Sequence, residues 1–294
     1  MKKNKILVTG GAGFVGSNLI EYFLNNTKYK IISIDNYSSG FRKNHIKNSR
    51  VNYINGDTKN IEKIIKNPKN INSIFHFGEF ARIYQSFIKM NECLNSNSIG
   101  TNAVFNFCLK NRIKLIYSAT SATLGNKGSD KNLSPYAFTK SKNLELLENL
   151  KKWFGFRYEV IYFYNVYGPK QISKGSMSTV IGIFENAFRN KKPLPVVKPG
   201  TQSRRFTHIN DTIKICYLAW KKNLCRHYSI SNKKVFSIID VAKMFKTKIK
   251  FLKKRPGERY ASALTNMNLS NKVYKYFGKI NLKNYIENFI KNSN

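Results

Sequence analysis

Carboxylates are scarce in this chain: 15 Asp and Glu stand against 52 Lys and Arg, a formal charge of +37 over 294 residues. Such an excess invites a nucleic-acid reading. The lysines run from Lys2 to Lys291 instead of forming one block, although "KTKIKFLKKR" (Lys246 to Arg255) is a local cluster. The expectation is a largely solvated basic surface that attracts anions, with no nucleic acid as partner. Cysteine is equally sparse. Cys93, Cys108, Cys216 and Cys225 show no C-x-x-C spacing, so they read as small buried hydrophobes rather than disulfides or zinc ligands, and no metal is expected. No apolar run approaches the roughly 20 residues that span a bilayer. The start, "MKKNKILVTGG", lacks a secretory hydrophobic core and cleavage site, so the expected location is cytoplasmic. Internal repeats and linker-like stretches are also missing, which argues against a string of independent modules.

What is present is alternation. β-rich runs occur at "KILVTG" (Lys5–Gly10), "KIISID" (Lys30–Asp35), "VNYIN" (Val51–Asn55), "SIFHF" (Ser73–Phe77), "KLIYSA" (Lys114–Ala119) and "EVIYFYN" (Glu159–Asn165). Amphipathic segments such as "NLIEYFLNN" and "NLELLENLKKWF" lie between them. Apolar strands separated by helices imply a parallel sheet covered on both faces. The predicted fold is therefore α/β, a doubly wound parallel (Rossmann) sheet. After Asn165 the texture shifts to loops punctuated by Pro and Gly, as in "KKPLPVVKPGTQ". This predicts a dinucleotide-binding domain over 1–165 and a smaller α/β substrate lobe over 166–294, partly interleaved with it.

"LVTGGAGFVGSNL" carries Gly10, Gly13 and Gly16 directly after the first strand. In that place the first glycine permits a tight turn and the second lets backbone approach a pyrophosphate. The third allows close packing of the helix whose N-terminal N–H groups face the anion. Asp35 closes the second strand. A carboxylate there accepts from a ribose diol and repels a 2′-phosphate, which favours NAD over NADP; a solvated turn Asp is the plainer alternative. Asp57 ends the third strand region and suits either an adenine contact or a helix N-cap.

"SPYAFTK" places Tyr136 four residues before Lys140. On a helix these share a face, and an ordinary surface pair is the alternative to a chemical one. The order and spacing of "TGGAGFVGSN", "DNYSSG", "FHFGEFARIYQS", "YSATSATLG", "SPYAFTK", "YNVYGPKQ" and "GTQSRRFTHINDT" decide the matter. The chain resembles the extended short-chain dehydrogenase/reductases, and within them the nucleotide-sugar 4-epimerases, over nearly its whole length.

The resemblance implies that Tyr136 is the catalytic base. An ordinary phenol has a pKa near 10, so base activity at neutral pH needs a drop of roughly three units, about 4 kcal/mol of phenolate stabilisation. Lys140 and an oxidised nicotinamide would supply it. Thr120 takes the place of the hydroxyl that shares the substrate proton, with Ser118, Ser121 and Thr123 as neighbouring rivals. Ser121 and Ala122 stand where related dehydratases carry Asp-Glu, which leaves epimerisation at C4 of an NDP-hexose, with UDP as the expected nucleotide. A one-way 4-dehydrogenase or ketoreductase would use the same three residues, and a non-catalytic dinucleotide- or nucleic-acid-binding protein would use none.

The same resemblance implies NAD contacts from Gly10, Gly13, Phe14, Val15, Gly16, Asp35, Asn36, Asp57, Phe77, Gly78 and Lys140. It assigns sugar-nucleotide contacts to Thr120, Tyr136, Asn165, Arg204, Arg255 and Glu258, and implies a homodimer paired through helices within Asn91–Lys110 and Tyr136–Trp153. Several residues depart from the pattern. Glu79 and Arg82 bring charge to a loop that is smaller and less charged in most relatives, and an internal ion pair between them is the favoured expectation over sugar contact. Arg205 stands where Asp is frequent, and Gly125–Ser134 is short. His76 is expected to be a packed histidine, with His208 and Asp211 structural, as a strand residue and a helix cap.

Overall fold

The computed structural model describes residues 3–257 and 273–293, with 125–128 as backbone only. Six strands fall close to the apolar runs: β1 (Lys5–Thr9), β2 (Lys30–Asp35), β3 (Val51–Asn55), β4 (Ile71–His76), β5 (Lys114–Thr120) and β6 (Tyr158–Phe163). The sheet holds eight strands rather than six. His227–Ser231 and Val273–Phe277 extend it past β6, giving the order Val273–Phe277, His227–Ser231, β6, β5, β4, β1, β2, β3. All of these neighbours pair in parallel. The two added strands, "HYSIS" and "VYKYF", mix polar residues into short segments. Neither offers the uninterrupted apolar run that marks a buried parallel strand.

Side chains alternate across the sheet and feed two cores. Leu7 of β1 packs with Ile34, Ile74, Leu115 and Tyr117. Ile6 and Val8 pack on the opposite face, with Phe23, Phe75 and Ile213. The chain winds outward from β1 through β2 and β3, then returns to build β4, β5 and β6 on β1's other side. This reversal opens a crevice at the carboxyl ends of β1 and β4, where doubly wound sheets bind ligands.

Helices α1 (Phe14–Asn26), α2 (Ile61–Ile64), α3 (Ile83–Ile88), α4 (Met90–Leu94), α5 (Thr101–Lys110) and α6 (Pro135–Phe154) precede β6. α7 (Val180–Arg189) and α8 (Ile209–Lys221) follow it. A third core, including Tyr167, Phe184, Phe206 and Phe245, lies entirely beyond residue 165. Three two-stranded sheets accompany it. No helix among the described residues is long and apolar enough to cross a membrane.

Candidate active site

The loop between β1 and α1 is a tight cradle with no room for a side chain at its first glycines or at Gly16. Gly10 has φ of +70°, and a Cβ on it would stand 2.8 Å from Gly78 N. At Gly16 a Cβ would stand 2.2 Å from Gly10 O. Gly13 is the N-cap of α1, which has no side-chain cap and no acid in its first turn. Its orphan N–H groups and dipole therefore suit a phosphate anion.

Asp35 is buried at the end of β2. Its Oδ2 accepts from Ala12 N at 2.9 Å and its Oδ1 from Tyr37 N at 2.8 Å. Burial raises its pKa, while N–H donors from Tyr37, Ala12 and Gly13 oppose the rise. A solvated turn Asp is therefore not what the structure contains. Asp57 caps the short 3-10 turn Thr58–Asn60, accepting from Lys59 N at 3.0 Å. Its other oxygen accepts from Asn36 Nδ2 at 3.2 Å. Capping and a place in the crevice thus coexist in one carboxylate, since Asp35, Asn36 and Asp57 all line the same cavity as Gly10, Gly13 and Phe77.

That cavity continues to Thr120, Tyr136, Lys140 and Asn165. α6 starts with Ser134 as N-cap, whose Oγ accepts from Ala137 N at 3.1 Å, and Pro135 in the first helical turn. Proline's fixed φ and missing N–H suit that position. The helix then puts Tyr136 and Lys140 one turn apart on the wall of the cavity. Thr120 ends β5, and its Oγ1 accepts from Ala122 N at 3.1 Å. Two of its rivals are otherwise engaged. Ser118 Oγ donates to His76 O at 2.9 Å and Thr123 Oγ1 donates to Thr120 O at 2.8 Å. The segment after Thr120 is a 3-10 run, Ser121–Asn132.

Glu79 corrects the expectation drawn from sequence. It does not pair with Arg82. Its Oε2 accepts from Lys140 Nζ, both side chains being almost fully buried at 2% and 4% exposure. Its Oε1 accepts from Thr101 Oγ1 at 2.9 Å and from Tyr117 OH at 3.0 Å. Lys140 also donates to Ser118 O and lies 4.7 Å from the Tyr117 ring centroid. Burial pulls the lysine's pKa down and Glu79 opposes that shift. Arg82 instead turns its Nε to Met177 O at 2.9 Å and Ser178 O at 3.2 Å. This anchors the α3 end of the cavity to the segment before α7. His76 is a packed histidine, as expected: its Nδ1 meets Thr9 Oγ1 at 2.7 Å and its Nε2 meets Thr101 Oγ1 at 3.0 Å. Burial lowers its pKa to about 4.

The remaining residues are more dispersed. Asn165 has φ of +34° and donates to Arg205 O at 3.0 Å from within the cavity lining. Arg204 is buried on Ser203–Arg205, outside that lining. Arg255 stacks its guanidinium 5.0 Å from the ring of Tyr84, on α3. Glu258 lies outside the described residues. Arg205 donates to Asn232 O at 3.0 Å and to Lys233 O. His208, not Asp211, caps α8, accepting from Asn210 N at 3.2 Å. Asp211 accepts from Ile280 N at 3.0 Å. Sequence reasoning missed Ser178 and Thr179, which line the cavity from the second lobe; no periodic or motif signal marks them. No cluster of three His, Cys, Asp or Glu among the described residues could hold a metal.

Comparison with known proteins agrees with this geometry. The NAD dependent epimerase/dehydratase family matches residues 6–231. A Methanocaldococcus jannaschii protein, provisionally named a UDP-glucose 4-epimerase, is 26% identical, covering 98% of this chain and 99% of its own. The structure of a UDP-N-acetylglucosamine 4-epimerase from Methanobrevibacter ruminantium M1, complexed with UDP-N-acetylmuramic acid, superposes with a TM-score of 0.83. It is 25% identical over 100% of this chain and 98% of that one. A Bacillus cereus UDP-glucuronic acid 4-epimerase, a tyrosine-to-phenylalanine mutant holding a fluorinated UDP-sugar and NAD, gives a TM-score of 0.82. Its identity is 26% over 98% of this chain and 99% of its own. The chain belongs to the NAD-dependent epimerase/dehydratase family, and the enzymes it resembles along its whole length include nucleotide-sugar 4-epimerases.

Proposed function

We propose that the protein is an NAD-dependent 4-epimerase of a UDP-linked hexose, with Tyr136, Lys140 and Thr120 as its catalytic residues. The observation that carries this reading is their convergence on the cavity that also contains the glycine cradle and Asp35. Bound NAD supplies a hydride acceptor that returns the hydride, so the cofactor ends unchanged. Tyr136 takes the proton of the sugar 4-hydroxyl and later gives it back. Thr120, held by the Ala122 N–H, orients that hydroxyl through a hydrogen bond. Ser121 and Ala122 offer no acid or base to expel water from the neighbouring carbons, so inversion at C4 is the outcome.

In this reading residues 1–165 hold the cofactor and 166–294 the substrate, with Asn165, Arg204, Arg255 and Glu258 assigned to the sugar nucleotide. The interleaving is supported by two strands of the second part, His227–Ser231 and Val273–Phe277, lying in the main sheet. Pairing of two copies through α4, α5 and α6 is supported by apolar side chains exposed on α4, on α6 and on the turn between α4 and α5. Met90 on α4 is 50% exposed, Ile99 in the turn 55%, and Phe138 and Trp153 on α6 44% and 62%. We place the enzyme in the cytoplasm, supplying activated sugars for surface polysaccharide.

The test is incubation of purified protein with UDP-, GDP- and dTDP-hexoses, read by proton NMR. Appearance of the C4 epimer without net NADH supports the reading. NADH accumulating with a released keto sugar would replace it by a one-way dehydrogenase. No change in any sugar, with no NAD bound, would leave only a binding protein.

A further inference from the structure

Glu79 occupies an unusual place for a carboxylate. It sits in the loop that leaves β4, yet its side chain is 2% exposed and reaches the lysine of the Tyr136–Lys140 pair. Every packed element presents something to it. His76 lies on its own strand, and Cys93 comes from α4 and Thr101 from α5. β5 gives Tyr117 and Ser118, and α6 gives Lys140 and Asn143, with Tyr136 coupled to Tyr117. Arg82, three residues on, lines the same cavity as Tyr136 and is coupled to it electrostatically. Lysine has three donors. Two are used on Glu79 and Ser118 O, which leaves one for a ribose hydroxyl.

We propose that Glu79 is a positioning residue for the hydride-transfer step: its carboxylate seats Lys140 against β5 and cancels most of its charge. The Tyr136 phenol must then be acidified mainly by other cations in the cavity, Arg82 and the oxidised nicotinamide. Tyr136 becomes a competent base when the oxidised cofactor is in place, and stays a phenol in the empty or reduced site. This rests on the 4-epimerase reading for Tyr136 and Lys140. The same carboxylate makes the site favour the cationic over the neutral form of the nicotinamide.

The experiment compares wild type with Glu79→Gln and Glu79→Asp. Calorimetric Kd values for NAD and NADH are measured with the pH profile of kcat, and thermal melts confirm folding. Glu79→Gln leaves Lys140 uncompensated, so the acid limb of kcat moves to lower pH by about one unit, and the Kd ratio of NAD to NADH rises about tenfold. Glu79→Asp keeps the charge but not the reach. Its acid limb stays near wild type while kcat falls. A folded Glu79→Gln variant with an unmoved acid limb and unchanged cofactor preference would overturn the proposal. If Gln at this position prevents folding, Glu79→Asp still decides, because a wild-type kcat there removes the positioning role. Absence of NAD binding by the wild-type protein would instead defeat the 4-epimerase reading itself.

Discussion

The backbone N–H of Tyr136 donates to Ser86 Oγ at 3.2 Å, which pins the first turn of α6 to α3. Ser86 is fully buried and also donates to Ile83 O at 2.6 Å. The phenol is thus aimed by a hydrogen bond fifty residues away in sequence. Ser86→Ala is expected to lower stability by about 1 kcal/mol, and kcat by roughly three- to tenfold through looser aim of the ring. Chemical denaturation and steady-state kinetics on the same preparation check both.

In the proposed mechanism, Tyr136→Phe removes the acid–base group and little else. The expected result is a kcat lower by roughly two to four orders of magnitude, the usual range for losing a general base. NAD binding measured by calorimetry should stay near wild type. A variant with unaltered kcat would exclude the phenol from proton transfer.

In the proposed site, Asp35 is expected to couple cofactor affinity to pH. Its carboxyl titrates above the ordinary value near 4 because burial outweighs its N–H donors. A ribose diol donates to the ionised form, so NAD affinity should be complete at neutral pH and decline as pH falls through the raised pKa. Asp35→Asn should flatten that decline and narrow the preference for NAD over NADP by tenfold or more. Fluorescence titrations with both dinucleotides between pH 4.5 and 8 give the comparison.

His76 is expected to make the fold acid-sensitive. Its folded-state pKa of about 4 lies below the ordinary 6.5, so between those values the unfolded chain binds a proton that the folded chain does not. Stability is therefore complete above about pH 6.5 and lost as pH falls toward 4, by up to roughly 3 kcal/mol. Urea midpoints at pH 7.5 and pH 5 should diverge in wild type and lie closer together in His76→Gln.

Much of the proposed cofactor side of the cavity was legible in sequence as geometry, because each of its parts is local. Glycines at three-residue spacing after an apolar run, Asp35 at a strand end and Ser134-Pro135 ahead of Tyr136 dictate their own geometry. The outer strands were not legible, since "HYSIS" and "VYKYF" look like polar loop until β6 offers "HYSIS" a partner and "HYSIS" in turn pairs with "VYKYF". Glu79 shows the same limit inside the cavity. Neighbouring Arg82 made the obvious partner in sequence, yet Arg82 is drawn to the Met177 and Ser178 carbonyls. Lys140, Thr101 and Tyr117, from three different elements, converge on the carboxylate instead. Which charge meets which is a tertiary outcome. The cap of α8 escapes sequence reasoning for a smaller reason: His208 accepts through ring nitrogen at a position where Asp, Ser or Asn usually serves.

The most direct measurement uses a UDP-hexose deuterated at C4 with the purified enzyme in ordinary water, followed by NMR. Removal and return of hydride within one site should yield the inverted sugar with deuterium still at C4 and none released to solvent. Inversion with the label washed out would contradict hydride transfer, and with it the catalytic roles of Tyr136 and Lys140.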